Sequence, residues 1–143
     1  MKTLKTLTLA ICLLITAVVS HAKDDSRNAK AATPYFALKT YVEAVSHGNL
    51  KDLDFAIDKS AKFSLLRGKE ILSFDKEQTM NFFKTTAGYS QACTIRTTVV
   101  NSNADFLLAR VDMKYKDFTR SNYVTVSNMG SIWKITDVYS TFK

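Results

Sequence analysis

Two spacings of apolar residues divide this chain. Between positions 34 and 47 they recur at Tyr35, Leu38, Tyr41, Val42 and Val45, three and four apart, which gathers them on one face of a helix. Thr33 suits the N-cap and Pro34 the first helical position, while His47-Gly48 closes the segment with a glycine able to take a left-handed cap. A second, short helix is expected behind Asn49 and Asp52, with Leu50, Leu53 and Ile57 as its stripe. The period then drops to two. Ala61, Phe63 and Leu65 alternate with polar residues as far as Arg67-Gly68, and Glu70 to Phe74 returns, so 61–74 predicts a hairpin. Asp75-Lys76-Glu77-Gln78 has the form of a capping box, opening a third helix that runs to about Thr86, places Met80, Phe83 and Ala87 on one face and stops at Gly88.

Everything after Gly88 alternates. Strands are predicted over 91–100, 105–116, 119–128 and 132–142, with turns at Asn101-Ser102-Asn103, Lys116 to Phe118 and Asn128-Met129-Gly130-Ser131. Parity sends Leu107, Ala109, Val111, Met113 and Tyr115 to the core, and with them Cys93, Ile95, Thr97 and Val99. Arg96, Arg110 and Asp112 are left outward, where cross-strand ion pairing is the expectation. The last strand is ambiguous. Trp133, Ile135, Asp137 and Tyr139 share one face, and Ile132, Thr136, Val138 and Phe142 share the other, so both carry apolar groups. That predicts a bulge or a contact with a second copy of the chain, a homodimer. The fold class expected is α+β: three N-terminal helices packed on a curved, mostly antiparallel sheet.

The first 22 residues read as a cleavable export signal. Lys2 and Lys5 precede an apolar run from Leu7 to Val19, and Ser20-His21-Ala22 supplies small residues before Lys23. The run is short of the roughly 20 residues a spanning helix needs, and Ile11-Cys12 in mid-run does not fit a lipid-attachment site. A secreted or periplasmic location is expected, with no membrane span after cleavage. Residues 23–32 are polar and small and read as a flexible leader, which leaves 33–143 as one domain. The formal charge is +7, but the basic residues are scattered, so no nucleic-acid partner is expected. Outside the signal Cys93 is the one cysteine, which makes an internal disulfide unavailable and leaves a buried thiol or an intermolecular link, burial being the better reading in a strand.

The order of elements, together with particular segments, resembles the nuclear-transport-factor-2-like (NTF2-like) superfamily, the cystatin-like α+β cone. The segments are Gly48-Asn49-Leu50-Lys51-Asp52-Leu53 after the first helix, Gly68 to Phe74 leading to Phe82-Phe83, and the closing Trp133-Lys134-Ile135-Thr136-Asp137-Val138. The resemblance runs from Thr33 to Phe142 and extends to exported bacterial members of the lumazine-binding and uncharacterised types. It implies a cone whose core opens into a pocket. It does not choose among isomerases, dehydratases and non-enzymatic domains, because these are patterns of packing.

Several chemistries are excluded. No dinucleotide or phosphate loop, H-E-x-x-H or C-x-x-C occurs, and His21 and His47 are the only histidines, so neither a cofactor nor a histidine-based metal site is expected. His47, at a helix end, reads as a surface group near the dipole. Phe63, Met80, Phe83, Tyr115, Trp133 and Tyr139, with Tyr41, are the candidate walls of a pocket for a small apolar or heteroaromatic ligand. Asp137 is the one catalytic candidate. If the Trp133 face points inward, it is an acid among aromatics, able to act as general acid or base with Tyr41 or Tyr115 as hydroxyl donor in an isomerase or dehydratase. The competing reading is a solvated carboxylate at the sheet's open end. Three functions follow: non-catalytic ligand binding, the isomerase-type enzyme, and a dimeric interaction module.

Overall fold

The computed structural model describes residues 23–143; the segment expected to be an export signal, with Cys12 and His21, lies outside the described residues. The chain divides into two units, residues 1–30 and Ala31–Lys143. Residues 23–30, expected to be flexible, are helical. Ala31, expected to be part of the leader, is buried, and its carbonyl accepts a hydrogen bond of 2.8 Å from the Trp133 N–H.

In the second unit α1 spans Pro34–His47 and buries Ala37, Leu38, Tyr41, Ala44 and Val45. Fully burying each large apolar side chain contributes about 1.5–3 kcal/mol, so this face docks the helix. Tyr35, expected on that face, is exposed, and Thr33 makes no side-chain cap bond; Pro34 and the extended backbone of Thr33 start the helix instead. Gly48 closes it at φ 64°, its N–H reaching the Ala44 carbonyl at 3.1 Å.

The second helix is a single turn, α2, Leu53–Ala56. Ile57, expected in its stripe, already belongs to β1 (Ile57–Arg67) and pairs with Ile135. Tertiary pairing of a β-branched residue overrides the helical spacing here. β1 turns at Gly68 into β2 (Glu70–Phe74), with Arg67 opposite Glu70. α3 (Lys76–Thr85) follows with both halves of its capping box: Gln78 N–H donates to Asp75 Oδ1 at 2.8 Å, and Asp75 N–H donates to Gln78 Oε1 at 3.0 Å. Phe83 is buried and Met80 half-buried; Ala87 falls beyond the helix end and is exposed.

The meander comprises β3 (Thr94–Ser102), β4 (Phe106–Lys114), β5 (Thr119–Asn128) and β6 (Trp133–Phe142). Among the described residues, six strands form one curved, unclosed sheet in the order β2-β1-β6-β5-β4-β3. Every neighbouring pair is antiparallel except β1 with β6. Side-chain amides shape two of its turns: Asn103 Oδ1 accepts from Asp105 and Phe106, and Asn128 Oδ1 from Gly130.

The core lies between α1 and the concave face of β4, β5 and β6, where Leu107, Ala109, Val111, Met113, Val124, Val126, Ile135 and Val138 are buried. β4 follows the expected parity. β3 does not: Thr97 and Val99 are exposed, because β3 is an edge strand beyond the reach of α1. Its neighbour Cys93 is half-buried, short of the burial expected. The outward ion pair runs along β4, from Arg110 to Asp112 at 3.0 Å, with Ser121 Oγ also donating to Asp112 at 2.6 Å.

The ambiguity of β6 resolves as a bulge. Val126 pairs with Ile135 and Thr125 with Asp137, leaving Thr136 as the extra residue. The inward set therefore changes parity, from Trp133 and Ile135 before the bulge to Val138, Ser140 and Phe142 after it. No helix among the described residues is long and apolar enough to cross a membrane.

Candidate functional site

Curvature of the sheet leaves a cavity of about 840 Å³ between α1, α3 and the strands β1, β2, β5 and β6. That lies inside the range of roughly 300–1,000 Å³ typical of small-molecule sites. Its apolar wall comes from Tyr41, Ala44 and Val45 of α1, Phe63 and Leu65 of β1, Phe82 and Phe83 of α3, and Val138 of β6. Phe74, Phe82 and Phe142 also line it while being substantially exposed, so they mark the mouth.

Four of the candidate wall residues meet there: Tyr41, Phe63, Phe83 and Tyr115. Three do not. Met80 packs against the core and borders a separate, shallow polar groove with Asp54, Lys59, Asp75 and Lys76. In that groove Lys76 Nζ bridges Asp54 Oδ1 at 3.2 Å and donates to the Asp54 and Ile57 carbonyls, tying α3 to α2. Trp133 packs at the margin of the core beside Ala31. Tyr139 lies on the outer sheet face opposite Tyr123.

Asp137 also lies on that outer face, exposed, and not among aromatics in the cavity. The bulge at Thr136 is the reason: it turns Val138 inward and Asp137 outward. Partial desolvation raises the carboxyl's pKa above its ordinary value, while Lys62, its partner across β1 and β6, pulls it down. His47 is exposed at the end of α1, with Nδ1 2.7 Å from Ser46 Oγ and 3.7 Å from Glu43.

The charged group at the cavity, Arg120, is one the sequence reading passed over. Arg120 and Ser140 line it, and the buried Asn122 links the two. Asn122 is completely buried, and its Oδ1 accepts from Arg120 Nε at 2.9 Å and from Ser140 Oγ at 2.7 Å. Its Nδ2 donates to the Val111 carbonyl at 3.4 Å. Arg120 Nη2 lies 3.5 Å from Ser140 Oγ, and the guanidinium carbon is 5.9 Å from the centroid of the Phe142 ring. The parity of β5 was the available signal: Val124 and Val126 face the core, so Asn122 and Arg120, two and four residues earlier, share that face.

Two tyrosines border this group. Tyr41 is buried, and desolvation pushes its pKa up to about 12 against the opposing pull of Arg120. Tyr115 is raised by desolvation and by Cys93, again with Arg120 opposing, and its hydroxyl donates to Gln91 Oε1 at 3.2 Å. Tyr115 stacks on Phe118 with centroids 4.5 Å apart, and Phe118 meets Phe142 at 6.1 Å. Both phenols are therefore neutral donors near neutral pH. Among the described residues the cavity is lined by no Asp, Glu, His or Cys, and no cluster of such groups is placed to hold a metal ion.

With the element order, the bulged closing strand and the cavity in place, solved structures supply the comparison. An NTF2-like protein of unknown function from Silicibacter pomeroyi DSS-3 aligns with a TM-score of 0.62 at 16% identity, covering 75% of this chain and 90% of that one. The chain has the NTF2-like fold. A cystatin-like fold protein from Burkholderia xenovorans LB400 aligns at TM-score 0.60 and 12% identity, over 79% of this chain and 91% of the other. A ketosteroid isomerase-like protein from Parabacteroides distasonis ATCC 8503 aligns at TM-score 0.53 and 14% identity, over 77% and 87%. No family model and no curated protein matches the sequence. These identities speak for the NTF2-like fold and leave the chemistry to the residues.

Proposed function

We propose that this NTF2-like chain is an exported, non-catalytic domain that binds a small, largely apolar or heteroaromatic ligand in the cone cavity. The observation that carries this reading is the cavity itself, about 840 Å³ walled by Tyr41, Phe63, Phe83, Leu65 and Val138. A void of that size lined by apolar side chains forgoes packing contacts that a ligand restores. Export rests on the three-part pattern of the first 22 residues. N-terminal sequencing of the protein from a cell fraction should find Lys23 first.

The isomerase alternative needs a proton-transfer group at the cavity. Its candidate, Asp137, is on the other face of the sheet, and among the described residues no carboxylate or imidazole lines the cavity. Self-association draws support from the outer sheet face, where Tyr123 and Tyr139 are cross-strand neighbours.

Native mass spectrometry of gently purified protein, with titration of the neutral fluorophore N-phenyl-1-naphthylamine, tests the binding reading. Micromolar binding with a blue-shifted emission is expected. Lack of any saturable binding, with no co-purified small molecule, would remove it.

A further inference from the structure

Resting on the ligand-binding reading, we infer that the ligand is an organic anion: a planar carboxylate carried on an apolar body, with Arg120 as its anchor and the Tyr41 hydroxyl as an added donor. Arg120 lines the cavity, yet no carboxylate among the described residues pairs with it. Its partners are neutral: Asn122 Oδ1 on Nε, Ser140 Oγ at long range, and the face of Phe142. A guanidinium has five N–H donors in a rigid fork that matches a carboxylate, and most of this fork is unengaged by the protein. Arg120 is half-buried, and a partly desolvated guanidinium with no carboxylate beside it leaves part of its desolvation uncompensated.

The Asn122–Ser140 pair explains how the fork is held. Asn122 is anchored to the Val111 carbonyl and spends its oxygen on Arg120 Nε, which fixes the guanidinium plane without neutralising its charge. Ser140 Oγ supplies the second bond to the same amide oxygen. Asn122 would thus keep a donor even without Arg120, so the arginine is dispensable for satisfying the buried amide. Tyr41, neutral and with no hydrogen-bond partner among the described residues, presents a donor to the same cavity. One cation among otherwise neutral polar groups, beside an aromatic wall, selects a single negative charge on an apolar body. A neutral ligand would leave the guanidinium unmatched.

The experiment is displacement of N-phenyl-1-naphthylamine at 0.15 M salt by two near-isosteric competitors, 2-naphthoate and 2-naphthylmethanol. A charge-assisted hydrogen bond makes the acid at least about tenfold tighter than the alcohol. In Arg120→Gln the acid should lose its advantage over the alcohol, while an unchanged far-ultraviolet circular dichroism spectrum and urea midpoint report an intact fold. Tyr41→Phe should lower the acid several-fold and is an independent variant should Arg120→Gln fold poorly. Equal competition by acid and alcohol in the wild type overturns the anion assignment and leaves the cavity reading standing. A preference for the acid that survives both substitutions also overturns it, tracing the preference to net charge. Lack of binding by the neutral fluorophore and by both competitors removes the cavity reading and this proposal together.

Discussion

Replacing Gly48 by alanine tests the way α1 meets the loop after α3. Gly48 stands at φ 64°, and a Cβ there would lie 2.5 Å from the Thr86 oxygen, 2.6 Å from the Gly88 nitrogen and 2.8 Å from the Tyr89 nitrogen. All three are backbone atoms, so no side chain can rotate away. The left-handed backbone costs an L-residue about 1 kcal/mol net of the lower entropy alanine gives the unfolded chain. Pushing the loop off α1 lengthens Gly88 N–H to Gly48 O, now 2.9 Å, and Gln91 N–H to Ser46 O, now 2.7 Å. Each such bond is worth about 1 kcal/mol, and overpacking adds about 1–3 kcal/mol. The sum is about 4–6 kcal/mol. Gly68 is the internal control: it has the same φ of 64°, with nothing within 4 Å of the added Cβ. Gly68→Ala should therefore show the backbone part alone, about 1 kcal/mol. Urea melts of both variants, followed by emission of the single tryptophan, Trp133, and by far-ultraviolet circular dichroism, give the two values. Equal destabilisation of the two variants would refute the close approach of α1 to the Thr86–Tyr89 loop.

Asp137→Asn should leave N-phenyl-1-naphthylamine affinity unchanged and stability within about 0.5 kcal/mol, as for an exposed site; a loss of binding would return Asp137 to the cavity. Tyr41, with its pKa raised to about 12 in the folded chain, keeps its proton where the unfolded chain has lost it. The stability this contributes is complete below about pH 10 and is lost as pH climbs toward about 12, by about 3 kcal/mol. Tyr41→Phe should flatten that alkaline decline in urea midpoint, and an unchanged slope would contradict the burial. Asp75→Ala removes one half of the α3 capping box and should cost about 1 kcal/mol in the same melts. Sedimentation velocity at low micromolar concentration should show a dimer if the outer sheet face associates, and a lone monomer would end that reading.

The helical period of Leu38, Tyr41 and Val45, the box at Asp75–Gln78 and the alternation of Leu107 through Met113 are local signals. Each records which face of one element is apolar, and each element forms where its own spacing puts it. Fold class was legible on those grounds, since a run of strands after helices has few ways to bury its single apolar face. Four aromatics of the wall were legible for the same reason: Tyr41, Phe63, Phe83 and Tyr115 follow the inward faces of their own segments.

What the tertiary structure alone decided is which inward residue meets which, and where period breaks. Ile57 left the helical stripe for a strand because Ile135 was there to pair with it. Thr97 and Val99 kept their parity but lost their cover, since an edge strand has no helix above it. One unpaired residue, Thr136, set the fate of Asp137: inserting it into β6 exchanges the two faces, and the ladder with β5 determines where that insertion falls. Arg120 became a cavity residue through the same sheet, because Asn122 and Ser140, far apart in the chain, are brought opposite each other by the β5–β6 register. Local spacing records one element's burial, whereas register and curvature arise only from pairing between segments distant in sequence.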